Sequence, residues 1–149
     1  MKIIAVDDKK LTLEALTDAI KKTEPTAQLY CFRSGSEALA FEEIADCDVA
    51  FLDIEMPEVN GITLAKELKL INPYINIIFA TGYGEYTGEA IELHCSGYLM
   101  KPITPEKVRR ELDDLRHPVQ PQRKKRVRIQ TFGNFEIYVD GEPLLFQRD

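Results

Sequence analysis

The stretch Val49-Ala50-Phe51-Leu52-Asp53-Ile54-Glu55-Met56-Pro57 carries the reading of the fold. Four apolar residues run without alternation into a carboxylate and then into a proline-containing loop. A short apolar run of this kind is what a strand buried on both faces looks like, and such strands belong to parallel sheets covered by helices. Open α/β sheets place their ligands at the C-terminal tips of their strands, so Asp53 is a candidate site residue. Three further tips join it. Lys2-Ile3-Ile4-Ala5-Val6 runs into Asp7-Asp8, Ile75 to Ala80 into Thr81-Gly82, and Tyr98-Leu99-Met100 into Lys101-Pro102.

Between these runs lie helical patterns. Leu13, Leu16 and Ile20 share one face of a helix over Leu11–Lys22. Ser34 and Glu37 read as a capping box opening a helix to about Ile44. Gly61 opens a helix on which Ile62, Leu64, Ala65, Leu68 and Ile71 are helix-spaced, and Asn72-Pro73 stops it. A weak, glycine-interrupted helix is expected around Glu89–Cys95. Thr104-Pro105-Glu106 begins a last helix, to about Arg116, with proline at its first position. Strands alternating with amphipathic helices imply an α/β fold. The flavodoxin-like (βα)5 doubly wound parallel sheet, order 2-1-3-4-5, brings the tips of the first, third, fourth and fifth strands around one crevice. No glycine-rich fingerprint follows Val6, which disfavours a dinucleotide.

The chain has 149 residues, 44% of them hydrophobic, enough for one full core. Its three cysteines, Cys31, Cys47 and Cys95, have no metal-type spacing; Cys31 and Cys47 are expected as buried free thiols. No run approaches the roughly 20 apolar residues of a membrane span, and the N-terminus leads into a strand, so a cytoplasmic protein is expected. The net charge of -6 is uneven. Residues 1–116 carry 13 basic against 21 acidic side chains, and residues 117–149 carry 6 against 4. Two prolines and two glutamines near residue 118 mark a linker. The expected organisation is a first domain over 1–117, a basic Pro/Gln linker over 118–126, and a smaller unit over 127–149.

The tips have a chemistry of their own. Asp7, Asp8 and Asp53 together repel one another unless a counter-ion is present, and a hard divalent cation such as Mg²⁺ supplies it. A carboxylate can then take a phosphoryl group as an acyl phosphate. Lys101 suits one phosphoryl oxygen and the Thr81 hydroxyl another. Alone, an Asp-Asp pair is turn chemistry and a Lys-Pro dipeptide a helix boundary; the conjunction of four tips carries the inference.

With these residues in place, the chain resembles the receiver domains of two-component response regulators, from residue 1 to about 116. The resemblance implies that Asp53 is the phosphoacceptor and that Asp7, Asp8 and the backbone carbonyl of Glu55 complete a Mg²⁺ site. Thr81 and Lys101 would hold the phosphoryl group, and Tyr98 would be the switch aromatic. It also implies a sensor histidine kinase as partner and no enzymatic turnover beyond self-phosphorylation and self-dephosphorylation. A homodimer is expected through the face of the fourth helix, fifth strand and fifth helix, or through the C-terminal sheet. Thr81 to Tyr86 and Ser96 to Pro102 resemble the receivers of LytTR-type regulators. Two rivals are a dehalogenase-type Mg²⁺ phosphohydrolase, for which Glu55 has the spacing of a second acid, and a phosphorylation-independent pseudo-receiver.

The tail alternates with period two over Val127–Phe132 and Phe135–Val139, with Gly133-Asn134 and Asp140-Gly141 as turns, which predicts an antiparallel meander. Ile129 to Gly141 resembles the N-terminal sheet of the winged-helix domain in SARP-type activators, relatives of OmpR-type output domains. That resemblance implies a DNA-binding output cut short at Asp149, before its recognition helix.

Overall fold

A computed structural model of the chain describes residues 1–82, 88, 92–119, 137–139 and 142–144. The chain divides into two units, Met1–Pro118 and Val119–Asp149. In the first, β1 (Lys2–Val6), α1 (Lys10–Thr23), β2 (Gln28–Phe32), α2 (Gly35–Leu39), β3 (Val49–Leu52), α3 (Gly61–Ile71), β4 (Asn76–Thr81), β5 (Gly97–Met100) and α4 (Pro105–Leu112) follow in order. The helix α4 is the fifth of the sequence pattern, because residues 89–91, the start of the expected fourth helix, lie outside the described residues.

All strand pairs in this unit are parallel, and the order is β2-β1-β3-β4-β5, the flavodoxin-like order expected. Alternate residues feed two cores. Ile4, Val6, Ala50, Leu52, Ile77 and Phe79 pack with Ala38 of α2 and Ile62, Leu64, Ala65 and Leu68 of α3. Ile3, Ala5, Val49, Phe51, Ile78 and Ala80 pack with Leu13, Leu16 and Ile20 of α1 and Val108 and Leu112 of α4. A strand that fills both layers has little room for polar side chains before its tip, which is why the apolar runs are long; Asn76 at the start of β4 is buried but donates to the Asp48 and His117 carbonyls.

Side-chain oxygens start three of the helices. Ser34 accepts from the Glu37 amide at 3.1 Å, Asn60 from Thr63 at 2.9 Å and Thr104 from Lys107 at 3.2 Å. The capping box is not reciprocal, since the Glu37 carboxylate accepts from the Arg33 amide at 3.3 Å rather than from Ser34. The helix α2 ends at Leu39, short of Ile44, because Phe41 turns back onto Tyr30 and Phe32 at ring separations of 4.7 and 5.4 Å. The last helix ends at Leu112 rather than Arg116. The chain beyond it is held to the sheet instead, by Arg116 donating to the Ser96 hydroxyl and His117 to the Asn76 side chain.

Cys47 is buried, and burial pushes its thiol up to about 12. Cys31, expected buried, is exposed because β2 is an edge strand; all three cysteines are free. No described helix is long and apolar enough to cross a membrane. In the second unit, β6 (Ile137–Val139) and β7 (Glu142–Leu144) pair antiparallel, with Val139 opposite Glu142. The remaining expected strand, Val127–Phe132, lies outside the described residues.

Asn72 ends α3 and ties it to the turn before β3. Its buried amide donates to the Ile44 and Cys47 carbonyls at 3.1 and 2.8 Å. Asn72→Ala removes the side-chain donor to the Cys47 carbonyl in a site closed to water, while the Ile44 carbonyl keeps only the Cys47 amide, at 3.0 Å. It should lower the unfolding free energy by about 2 kcal/mol in urea denaturation.

Candidate functional site

Strand register assembles the site. Val6 lies opposite Leu52, and the Asp53 amide donates to the Val6 carbonyl at 2.9 Å, so Asp7 and Asp53 leave adjacent strands side by side. Thr81 lies opposite Met100, and the Lys101 amide donates to the Thr81 carbonyl at 2.9 Å, which delivers the lysine to the same edge. The peptide bond between Lys101 and Pro102 is cis. Ligand oxygens of Asp7, Asp8 and Asp53 can all lie within 4.8 Å of one another.

Asp7 and Asp53 are buried, at 1% and 2% exposure, and Asp8 is partly exposed. The Lys101 ammonium sits 2.9 Å from Asp7 Oδ2 and 3.5 Å from Asp53 Oδ1. A second cation, not read from the sequence, stands on the other side. Lys9 Nζ is 3.3 Å from Asp8 Oδ1 and 3.8 Å from Asp53 Oδ2. Arg33, also unread, donates twice to the Asp8 carbonyl at 3.1 and 3.0 Å and pins that backbone. Lys9 follows the acidic tip of β1 and Arg33 follows the tip of β2, but the direction of each side chain depends on the fold.

Asp53 Oδ2 is buried and accepts no hydrogen bond. Burial, and then the neighbouring Asp7, push the Asp53 carboxyl above the ordinary carboxylate range, with Lys101 and Lys9 opposing. The loop behind Asp53 is tight. A Cβ on Gly61 would run into the Asp53 carbonyl, and the Gly61 amide donates to Ile54 at 2.9 Å. Glu58, at φ 70°, takes a left-handed turn in the same loop.

Thr81 is fully buried at the end of β4. Tyr98 is partly buried on β5 opposite Phe79, with ring centroids 6.2 Å apart. The Glu55 side chain is exposed and stands outside the carboxylate cluster, so the second acid of a dehalogenase-type phosphohydrolase is not brought to the site. The acidic and lysine positions expected of a phosphoacceptor site, Asp7, Asp8, Asp53 and Lys101, are brought together at one end of the sheet.

A family model described as the response regulator receiver domain matches residues 3–113. This chain belongs to that family. The receiver is 30% identical over 113 residues to the transcriptional regulatory protein NatR of Bacillus subtilis, covering 76% of this chain and 48% of that protein. It is 30% identical over 114 residues to the sensory transduction protein LytT of the same organism, covering 75% and 46%. The chain thus spans about half the length of the curated relatives it matches. Among solved structures, the response regulatory domain of mrkE from Klebsiella pneumoniae is 29% identical with a TM-score of 0.69, covering 77% of this chain and 94% of that one.

The raised Asp53 carboxyl has a consequence for stability. The folded state holds this proton more tightly than the unfolded state, so stability falls as pH rises from the ordinary carboxylate value through the raised one. The loss persists at neutral pH. Without divalent cations, Asp53→Asn should therefore unfold at higher urea than the parent at pH 7. Its advantage should shrink as pH falls through the raised value and be largely gone by about pH 4, the ordinary carboxylate value, which a urea series over pH checks.

Proposed function

We propose that this receiver takes a phosphoryl group on Asp53 from a sensor histidine kinase and uses the change to govern a transcriptional output. One observation carries the reading. Asp53 Oδ2 is a buried carboxylate oxygen without a hydrogen bond, in a chain that satisfies its other described buried side-chain polar atoms. A native fold leaves such an atom for a ligand or for chemistry. That oxygen would attack phosphorus as the bond to the nitrogen of a kinase phosphoimidazole, protonated at its other ring nitrogen, breaks, giving an acyl phosphate and a neutral imidazole.

The carboxylates of Asp7, Asp8 and Asp53, with the main-chain carbonyl of Glu55, would hold Mg²⁺. The all-oxygen donor set and the closeness of the three carboxylates suit that ion. When bound, it would neutralise charge on the transferred phosphoryl oxygens. Lys101, already paired with Asp7 and Asp53, would transfer part of its charge to the phosphoryl group. The Thr81 hydroxyl would donate to another phosphoryl oxygen.

Thr81 and Tyr98 have a physical basis for coupling. Tyr98 faces Phe79, two residues before Thr81, so Tyr98 and Thr81 are diagonal neighbours across β4 and β5. Contacts that draw Thr81 toward the phosphoryl group would favour an inward Tyr98 and alter the face beside β5 and α4. That face would support a homodimer; the C-terminal sheet is a second surface for self-association.

For the output, the basic linker 118–126 and the β6–β7 pair support a winged-helix domain of the SARP or OmpR type, with its DNA contacts made by residues beyond 149 in a longer protein. The names of NatR and LytT, a transcriptional regulator and a sensory transduction protein, fit that reading. The setting would be the cytoplasm, where kinase and DNA are both reached.

Intact-mass analysis after acetyl phosphate and Mg²⁺ tests the central step. One phosphate adduct is expected on the parent chain and none on Asp53→Asn. An undiminished adduct on the variant would move the phosphoacceptor elsewhere.

A further inference from the structure

Lys9 occupies the N-cap of α1 and makes no side-chain capping bond there. Ser, Thr, Asp or Asn at that position would satisfy an orphan amide, worth about 1 kcal/mol. A cation is also poorly placed at the positive end of a helix dipole, and no acidic residue sits in the first turn to offset it. Two local rules are broken at one residue, and a conflict of that kind marks a position chosen for something other than the helix.

The carboxylates beside it supply the reason. The Lys9 amide donates to Asp7 Oδ1 at 3.0 Å, and Arg33 fixes the Asp8 carbonyl just before it, so the backbone of Lys9 is held at the site edge. Its ammonium then reaches Asp8 Oδ1 at 3.3 Å and stands 3.8 Å from Asp53 Oδ2. Asp8 and Asp53 are two of the three carboxylates that cluster. Lys101 holds the other side, between Asp7 and Asp53. More than half of the Lys9 side chain is exposed, at 57%, against 20% for Lys101. One ammonium is built in, and the other has an anchored stem and a free tip.

We propose that Lys9 is a resident counter-cation of the acidic site, which neutralises Asp8 and Asp53 when no metal is bound and is displaced by a divalent cation. This rests on the reading of the three carboxylates as a metal site. Lys9 then sets the metal affinity: every divalent ion that enters must first displace an ammonium from two of its own ligands. The displaced side chain swings into water at small cost, because the Lys9 side chain is already more than half exposed.

Isothermal titration of Mg²⁺ into the 149-residue chain and its Lys9→Gln, Lys9→Arg and Lys10→Gln variants tests this. Glutamine is no better an N-cap than lysine, so helix capping is held constant. Lys9→Gln should bind Mg²⁺ about three- to fivefold more tightly, the scale of one exposed ion pair removed from competition. Lys9→Arg should stay near the parent affinity. Lys10→Gln removes the same charge one residue further on and should change affinity less than twofold, by about a screened long-range interaction. Metal-free Lys9→Gln should also melt below the parent, with the gap closing in saturating Mg²⁺. Unchanged or weaker Mg²⁺ binding by Lys9→Gln, with the parent binding normally, would overturn the role of Lys9 and leave the metal site standing. Equal gains in Lys9→Gln and Lys10→Gln would also overturn it, as a net-charge effect. A parent chain that binds no Mg²⁺ at all would overturn the metal reading itself, and the role of Lys9 with it.

Discussion

Three carboxylates at one sheet edge are the constraint around which the rest of this receiver is arranged. Parallel register leaves them no choice: with Val6 opposite Leu52, the residues that follow must emerge side by side. Two unit charges 4 Å apart repel by about 4 kcal/mol at an effective dielectric near 20, so the cluster is expensive. Its cost is met by the two apolar layers that hold β1 and β3 in place, since a strand buried on both faces cannot slip to separate its tip from its neighbour's. Lys101 and Lys9 return part of the cost, and the raised carboxyl of Asp53 records what is left over.

The loop after Asp53 shows how tightly the edge is built. Gly61 begins α3 against the Asp53 carbonyl itself, where no side chain fits. Asn60 caps that helix, and Glu58 turns through a left-handed conformation to reach it. The backbone of Asp53 is therefore held from both directions, by the strand that ends in it and by the helix that starts on it. Precision of this kind comes from regular elements rather than from loop contacts.

Much of this was legible in the sequence, for a physical reason. Strands buried on both faces advertise themselves as long apolar runs, and the first polar residue after such a run is a tip by necessity. Asp7, Thr81, Asp53 and Lys101 could be read that way. Lys9 and Arg33 could not, because their roles depend on which neighbouring strand a long side chain reaches across to. The early end of α2 was hidden too: nothing local stops a helix at Leu39, and only the rings of Tyr30 and Phe32, brought near by the fold, draw Phe41 out of it. Ile71 keeps the helical spacing of α3 yet is 48% exposed, so apolar periodicity overstated the buried face by one residue. Cys31 sits on the second strand, an edge in the expected order 2-1-3-4-5, so its exposure follows from the topology and the tendency of free thiols to be buried misled the residue-level reading.

Charge counting links the edge to its proposed work. Three carboxylates against two ammoniums leave the edge one negative charge in excess, which repels an incoming phosphoryl donor. Exchanging the exposed ammonium of Lys9 for a divalent ion would bring the sum to zero while keeping Lys101, the better buried cation, in place. Only then would a dianionic group approach without net repulsion from the protein. A fully compensated site built from lysines alone would lose that discrimination, because it would admit an anion whether or not metal were present. An edge left one charge short, with one cation firmly held and one readily released, would make entry of the proposed phosphoryl group conditional on the ion.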